Sequence, residues 1–197
     1  FLFVTATDTA PLCGAYPNPC LRKYGAKPLR ISYSRELGLR IMIGTVQRKG
    51  AAYDLSLTPV LSHATQHFFR THFKVDQGAK KADQSLKKQG YVSHCSNCNR
   101  RFMTEGLVTE LPKSCECGKK LDHAGPLWLG KLGDKDHLKK VIEDISVRGF
   151  DLGRKEKDLL KSCLDEVEGP PTFYDIHELS SRIGTSPPKI ERLRNRL

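Results

Sequence analysis

A chain of 197 residues, 38% hydrophobic and 28% charged, is long enough to bury a core and allows one or two domains. Its apolar opening, Phe1-Leu2-Phe3-Val4, gives way to Thr5, Thr7 and Asp8 far short of the ~18 apolar residues of a membrane span, and no basic segment precedes it, so neither a membrane anchor nor a secretory signal is expected. A net charge of +11 points first to a polyanionic partner, with a merely soluble basic surface as the plain alternative.

In chain order, residues 1–6 have the composition of a buried strand. They run into a polar loop, Thr7-Asp8-Thr9-Ala10-Pro11-Leu12-Cys13-Gly14, and then the turn-rich Tyr16-Pro17-Asn18-Pro19. A strand that ends in such a loop is a common place for chemistry. Over about 34–53, Leu37, Ile41, Gly44 and Arg48 fall on one helical stripe with Met42 and Thr45 beside it, and Ser34 can cap the helix. Strands follow over about 55–62 and 68–75. In the second, Phe69, Thr71, Phe73 and Val75 alternate with Arg70, His72 and Lys74, and the link Ala64-Thr65-Gln66 makes the pair an antiparallel hairpin. The chain starts with Phe inside a strand pattern and stops at Leu197 inside a helical one, so both ends are expected to be cut from a longer protein.

A Lys-rich helix is expected over 79–89, a cysteine module over 91–123, and helices over 134–147 and 154–167 separated by Arg148-Gly149-Phe150, with Gly169-Pro170-Pro171 as a linker. Asp175 caps a helix to Ile183 that Gly184 stops. Ser186 with Pro187 opens a second helix carrying Ile190, Leu193 and Leu197, which makes a helix-turn-helix pattern. Its Lys189, Arg192, Arg194 and Arg196 can reach phosphates, or they form the solvated face of a packing module.

The charge is uneven. Residues 1–89 carry 14 Lys and Arg against 5 Asp and Glu (+9), residues 90–181 carry 14 against 16 (−2), and residues 182–197 carry 5 against 1 (+4). Of seven cysteines, Cys13, Cys20 and Cys163 are scattered, whereas Cys95-x-x-Cys98 and Cys115-x-Cys117 form two close pairs sixteen residues apart, which favours a reducing cytoplasm and a metal. Four thiolates at about 2.3 Å satisfy a tetrahedral Zn2+ and leave no open position, so the ion is expected to be structural. His94 and His123 flank the cluster, as substitute ligands or as solvated neighbours. Asp8 reads as a general base, a base-edge acceptor or a turn residue, and Trp128 as a stacking platform or a core aromatic. No phosphate loop, Ser/His/Asp arrangement or dinucleotide fingerprint is present.

Val4-Thr5-Ala6-Thr7-Asp8-Thr9-Ala10-Pro11-Leu12-Cys13-Gly14, followed by Cys20-Leu21-Arg22-Lys23-Tyr24-Gly25-Ala26 and Pro28-Leu29, resembles the tRNA guanine-N2 dimethyltransferase family, which modifies guanosine 26 of tRNA. Arg35-Glu36-Leu37-Gly38-Leu39-Arg40-Ile41, Phe69-Arg70, the cysteine pairs, Gly125-Pro126-Leu127-Trp128-Leu129-Gly130 and Phe173-Tyr174-Asp175-Ile176-His177 continue the similarity in the same order. The resemblance implies an α/β fold: the C-terminal part of a Rossmann-like class I methyltransferase sheet over 1–77, then a tRNA-engaging α+β domain over 78–197 with the zinc module (91–123) and the helix-turn-helix (173–197). It implies S-adenosyl-L-methionine and Zn2+ as cofactors, tRNA as partner, a cytoplasmic location (nuclear in a eukaryote) and a monomer. Thr7, Asp8, Pro11, Cys13 and Arg22 are the implied substrate contacts, and Cys95, Cys98, Cys115 and Cys117 the metal ligands. The family's cofactor-binding segments and its Asp-Pro-Phe-Gly catalytic motif are expected before Phe1, so the catalytic residues are unknown here and the chain alone is expected to be inactive. The rival expectation is a non-enzymatic nucleic-acid binder, a zinc ribbon joined to a helix-turn-helix.

Overall fold

A computed structural model describes residues 1–65, 67–148, 150 and 153–194. The first unit contains β1 (Leu2–Ala6), α1 (Thr9–Leu12), α2 (Pro17–Tyr24), α3 (Ser34–Ala51), β2 (Leu55–Ala64), β3 (Phe69–Gln77) and α4 (Ala79–Lys87). β3 lies between β1 and β2 and is antiparallel to both, so β1 and β2 run parallel to each other, joined by a crossover that contains α3. The expected hairpin is β2 with β3, paired from Leu55 against Gln77 to Ala64 against Phe69, with a bulge between Pro59 and Leu61.

Three details correct the expectations for the first 34 residues. The strand at 1–6 forms, but only Ala6 is buried. Phe1 and Phe3 are 72% and 64% exposed on the edge strand of the sheet, where His137 stacks on Phe1 and His72 stands edge-on to Phe3. The loop 7–14 contains a single helical turn, α1, and the Pro-rich stretch opens α2 instead of a turn, with Pro17 in the first turn where its missing N–H costs nothing. Ser34 does not cap α3. Tyr33 takes that position without a side-chain bond.

α3 is apolar on nearly every side and accordingly buried on nearly every side, from Leu37 through Thr45. It packs on β2 of the first sheet and on a strand of a second sheet, β6 (Asp122–Trp128). Gly38 permits the closest approach, since a Cβ there would stand 2.7 Å from the Phe69 ring and 3.0 Å from Leu12. Polar side chains stitch this layer. Buried Arg40 donates to Glu36 (2.8 Å) and to the carbonyls of Trp128 (3.1 Å) and Gly130 (2.8 Å). Gln47 donates to the Leu57 carbonyl, and Gln89 to Gln47 and the Gly44 carbonyl.

The second sheet, in the order β5-β4-β6, is built from β4 (Gln89–His94), β5 (Arg101–Glu105) and β6 (Asp122–Trp128), all antiparallel. One apolar core joins Leu37, Ile41, Phe69 and Phe73 with Val92, Ala124, Leu127 and Trp128. Trp128 is 6% exposed and donates Nε1–H to the Lys131 carbonyl, so it is a core aromatic and not a stacking platform.

Helices α5 (Lys135–Arg148) and α6 (Gly153–Glu166) pair around Leu138, Leu160 and Val167 against Leu61. α7 (Ile176–Arg182) is capped as expected by Asp175, whose carboxylate accepts from the N–H groups of His177 and Glu178, and Gly184 ends it with φ +67. α8 (Ile190–Arg194) begins three residues beyond Pro187. Gln66, Gly149, Arg196 and Leu197 lie outside the described residues, as does the Arg194 side chain. None of the described helices is long and apolar enough to cross a membrane.

Candidate metal centre and nucleic-acid interface

Two knuckles, one between β4 and β5 and one just before β6, bring Cys95, Cys98, Cys115 and Cys117 together, with all four Sγ atoms within 4.8 Å of one another. Backbone bonds shape each turn. In the first, Asn99 N–H donates to Cys95 O and Asn99 takes φ +61; in the second, Gly118 N–H donates to Cys115 O and Gly118 takes φ +81. Arg100 pairs with Glu116 across the two knuckles. Cys95 Sγ lies 3.5 Å from Cys117 Sγ and Cys98 Sγ 3.4 Å from Cys115 Sγ. A tetrahedral ion with 2.3 Å bonds needs sulfurs roughly 3.8 Å apart. The donor set therefore fits Zn2+ even with a one-residue spacer in the second pair.

The thiol electrostatics agree. The Lys119 N–H, then the Asn97 amide and the Cys95 thiol, pull Cys117 down to about 6. Cys115 is lowered by the Cys117 N–H, but desolvation and bonds to Cys98, Cys117 and Cys95 outweigh this and push it up to about 12.

Neither flanking histidine joins the cluster. His94 is buried, not solvated, and its Nδ1 lies 3.0 Å from the Tyr33 hydroxyl; burial, then the Arg101 charge, holds it below the ordinary histidine range. His123 Nδ1 lies 2.8 Å from Ser93 Oγ.

The implied substrate residues sit on β1's exit and on α2. Thr7 and Arg22 are exposed, Cys13 is half-buried and Pro11 is buried. Asp8 accepts from the Tyr24 hydroxyl at 2.5 Å and from Lys23 Nζ at 2.9 Å. Burial pushes its carboxyl up, but those two bonds and the Lys23 charge prevail and hold it below the usual range. Asp8 thus fastens the loop to α2. Gly14 closes the loop at φ +87, where a Cβ would strike the backbone of Leu29 and Arg30 at 2.7 Å.

The sequence reading missed the contacts that tie the C-terminal segment to these sites. Arg101 is clamped between the rings of Tyr33 (3.8 Å) and Tyr174 (4.1 Å) and donates to Thr172 Oγ1 and Phe173 O. Glu36 accepts from the N–H groups of Thr172 and Phe173. α7 rests on the first knuckle, where Asn99 donates to Glu178 and Arg182 to Asn97 O. The hydrogen-bonded partners lie 71 to 137 residues apart in sequence, and no local pattern announces them.

A profile of the N2,N2-dimethylguanosine tRNA methyltransferase family matches residues 1–197. Proteins named tRNA (guanine(26)-N(2))-dimethyltransferase are similar: that of Methanobrevibacter smithii is 43% identical over 96% of this chain and 49% of its own length, and that of Methanosphaera stadtmanae 42% identical over 98% and 51%. Trm1 from Pyrococcus horikoshii, solved in complex with S-adenosyl-L-methionine, superposes with a TM-score of 0.88 at 35% identity, covering 100% of this chain and 50% of that one. The chain thus spans about half the length of the relatives it matches.

Proposed function

This chain belongs to the N2,N2-dimethylguanosine tRNA methyltransferase family, and on that premise we propose that it is the C-terminal portion of an enzyme that methylates N2 of guanosine 26 in tRNA, with S-adenosyl-L-methionine as methyl donor. The observation that carries this reading is the match along the whole chain to proteins of that name, at 42–43% identity for the two cited.

An exocyclic amine is a weak nucleophile, so such an enzyme extracts the base, holds the amine against the methyl sulfonium and accepts a proton. Residues 1–77 belong to the catalytic half in this reading, with β1-β3-β2 as the end of the methyltransferase sheet. Its parallel β1 and β2 and the unpaired outer edge of β1 among the described residues support that assignment. The loop carrying Thr7, Asp8, Pro11 and Cys13, with Arg22 beside it, borders the target guanine, and Asp8, already paired with Lys23 and Tyr24, orients the loop and is not the base. The residues that take the proton and hold the cofactor belong to segments before Phe1.

Residues 78–197 engage the tRNA. Cys95, Cys98, Cys115 and Cys117 hold Zn2+, which supplies a structural cross-link without an open coordination position. α7 and α8 form the helix-turn-helix element, with exposed Lys189 and Arg192 directed to backbone phosphates. Together with the excess of cations over residues 1–89, they grip RNA through its phosphates and shape. The enzyme acts as a cytoplasmic monomer.

The test is methyl transfer by the full-length protein. Label is expected to pass from S-adenosyl-L-methionine to a transcript with guanosine at position 26 and not to one with adenosine there. No transfer, with duplex DNA bound more tightly than tRNA at matched salt, would instead establish a non-enzymatic nucleic-acid binder.

A further inference from the structure

The cysteine module is nearly neutral in sequence but not evenly so in space. Residues 91–123 hold five Lys and Arg against four Asp and Glu. Arg101 is held between the rings of Tyr33 and Tyr174, and Arg100 pairs with Glu116. Glu105 stands opposite Gly90, at the end of β4 away from the knuckles, and Glu110 lies in the segment that joins β5 to the second knuckle. The remaining cations, Lys113, Lys119 and Lys120, gather on that knuckle. Its turn is a small hairpin in which the Leu121 N–H donates to Lys113 O and the Cys115 N–H to Lys119 O, while Ser114 is bridged to Lys120. All three lysines are exposed, and none has an ion-pair partner among the described residues.

The segment 27–30 joins this hairpin to loop 7–14. Lys27 and Gly125 of β6 exchange both backbone bonds, at 2.8 and 2.9 Å. Three residues on, the Arg30 backbone N stands 2.7 Å from where a Cβ on Gly14 would lie, so Arg30 abuts the end of the loop. Lys27 and Lys120 both lie close to His123 of β6. Burial and then the Lys27 charge hold that imidazole below the ordinary histidine range, with Asp122 opposing and Lys120 adding to the effect. From Arg30 to Lys120 the route runs through three residues, one antiparallel pair and five residues, a span of at most about 35 Å. Lys27 and Arg30 are exposed, and of the acids beside this route Asp8 is already paired with Lys23. A row of exposed cations without partners contributes little to a fold and a great deal to holding a polyanion, because each phosphate it neutralises releases counterions.

We infer that Arg30, Lys27, Lys120 and Lys119 form one phosphate track, along which the backbone of the tRNA passes from loop 7–14 to the second cysteine knuckle. The inference rests on the function proposed above and extends it: the metal module touches the substrate, and the pairing of Lys27 with Gly125 sets how far that contact lies from the reacting guanosine. These are positioning residues and take no part in methyl transfer. The competing use of the lysines is local, since Zn2+ with four thiolates carries a net charge of about −2 that nearby ammonium groups would offset.

Variants of the full-length protein separate the two uses, with tRNA binding measured across a salt series. Lys119→Gln combined with Lys120→Gln removes two phosphate contacts. The slope of log affinity against log salt is expected to become shallower by about 2, and affinity to fall roughly tenfold near physiological salt. Zinc content and melting temperature should not change, and kcat should stay within about twofold. Lys27→Gln should reduce the slope by about 1. Lys119→Arg combined with Lys120→Arg keeps both charges and should retain most of the affinity. Wild-type slope and affinity in the glutamine variants overturn the track. So does loss of zinc together with affinity, which assigns the lysines to the metal site, or an arginine variant as weak as the glutamine one. Each of these leaves the proposed function standing, because methyl transfer by the unmutated protein is measured first. An unmutated protein that fails to methylate tRNA overturns that function before any variant is made.

Discussion

The layer around α3 and the cysteine module share one chain and meet where α3 packs on β6, yet they differ in how much apolar core each has. Around α3, Tyr33, Leu37, Ile41, Ile43, Phe69, Phe73 and Leu127 are all fully buried, and the hydrophobic term alone suffices at roughly 1.5–3 kcal/mol per large side chain. In the module the apolar core shrinks to Cys95, Cys115 and Leu121 with Phe102 packed on them. So small a cluster cannot offset the entropy of ordering two knuckles and the long segment between them, roughly 1–2 kcal/mol for each residue's backbone. Where apolar area runs out, the proposed Zn2+ would supply the missing cross-link. Even the buried charge of Arg40 is tolerated in the first region because Glu36 and two carbonyls receive it, whereas the second gathers four thiols within 4.8 Å of one another, a donor set that fits a divalent cation.

The sharpest way to break this contrast is to remove the metal. Chelation, or Cys98→Ser, is expected to release about one zinc per chain and forfeit most of the folding energy that structural zinc supplies, on the order of 10 kcal/mol in small zinc modules. Hydrogen exchange should accelerate across 95–120 and in α7, which rests on the first knuckle, while α3 amides stay protected. If Cys98→Ser keeps stoichiometric zinc and full stability, the ligand assignment fails; equal loss of protection in α3 would mean the two regions are not separately held. Next in size, Arg40→Ala strips Glu36 and the carbonyls of Trp128 and Gly130 of their donor in a buried setting. A loss of about 3–5 kcal/mol in urea unfolding is expected, with zinc content unchanged. The mildest test is Asn97→Ala, which removes the amide 3.6 Å from Cys117 Sγ. Metal affinity in a competing-chelator titration should fall about 10- to 100-fold, and the α3 layer should not respond.

Local rules made much of this protein legible. β3 follows from the alternation of Phe69 to Val75 and its hairpin with β2 from the short link between them, the start of α7 from Asp175 and its end from Gly184, and the gathering of four thiols from two close pairs that can each form one knuckle. The long match to a known family at 4–14 and beyond was equally plain, because its motifs are contiguous. Where local rules misled, a distant partner was responsible. Residues 1–6 have a core composition but lie at a sheet edge, Trp128 could equally have been a surface platform, and His94 lost its solvent to Tyr33, sixty-one residues away.

By itself, then, the sequence determined the longer periodic elements, α3, β2, β3, α5 and α6, and which side chains are chemically able to bind a metal, since those depend on periods of two and 3.6 residues and on ligand type; the short α1 and α2 carry too few residues to show a period. Only the tertiary structure decided what each face meets. It put Arg101 between Tyr33 and Tyr174, and it closed a cavity whose walls come from α3, β2, α6 and segment 169–174. Such contacts depend on how elements far apart in the chain close around a shared core, and side-chain spacing within any one of them carries no record of that closure.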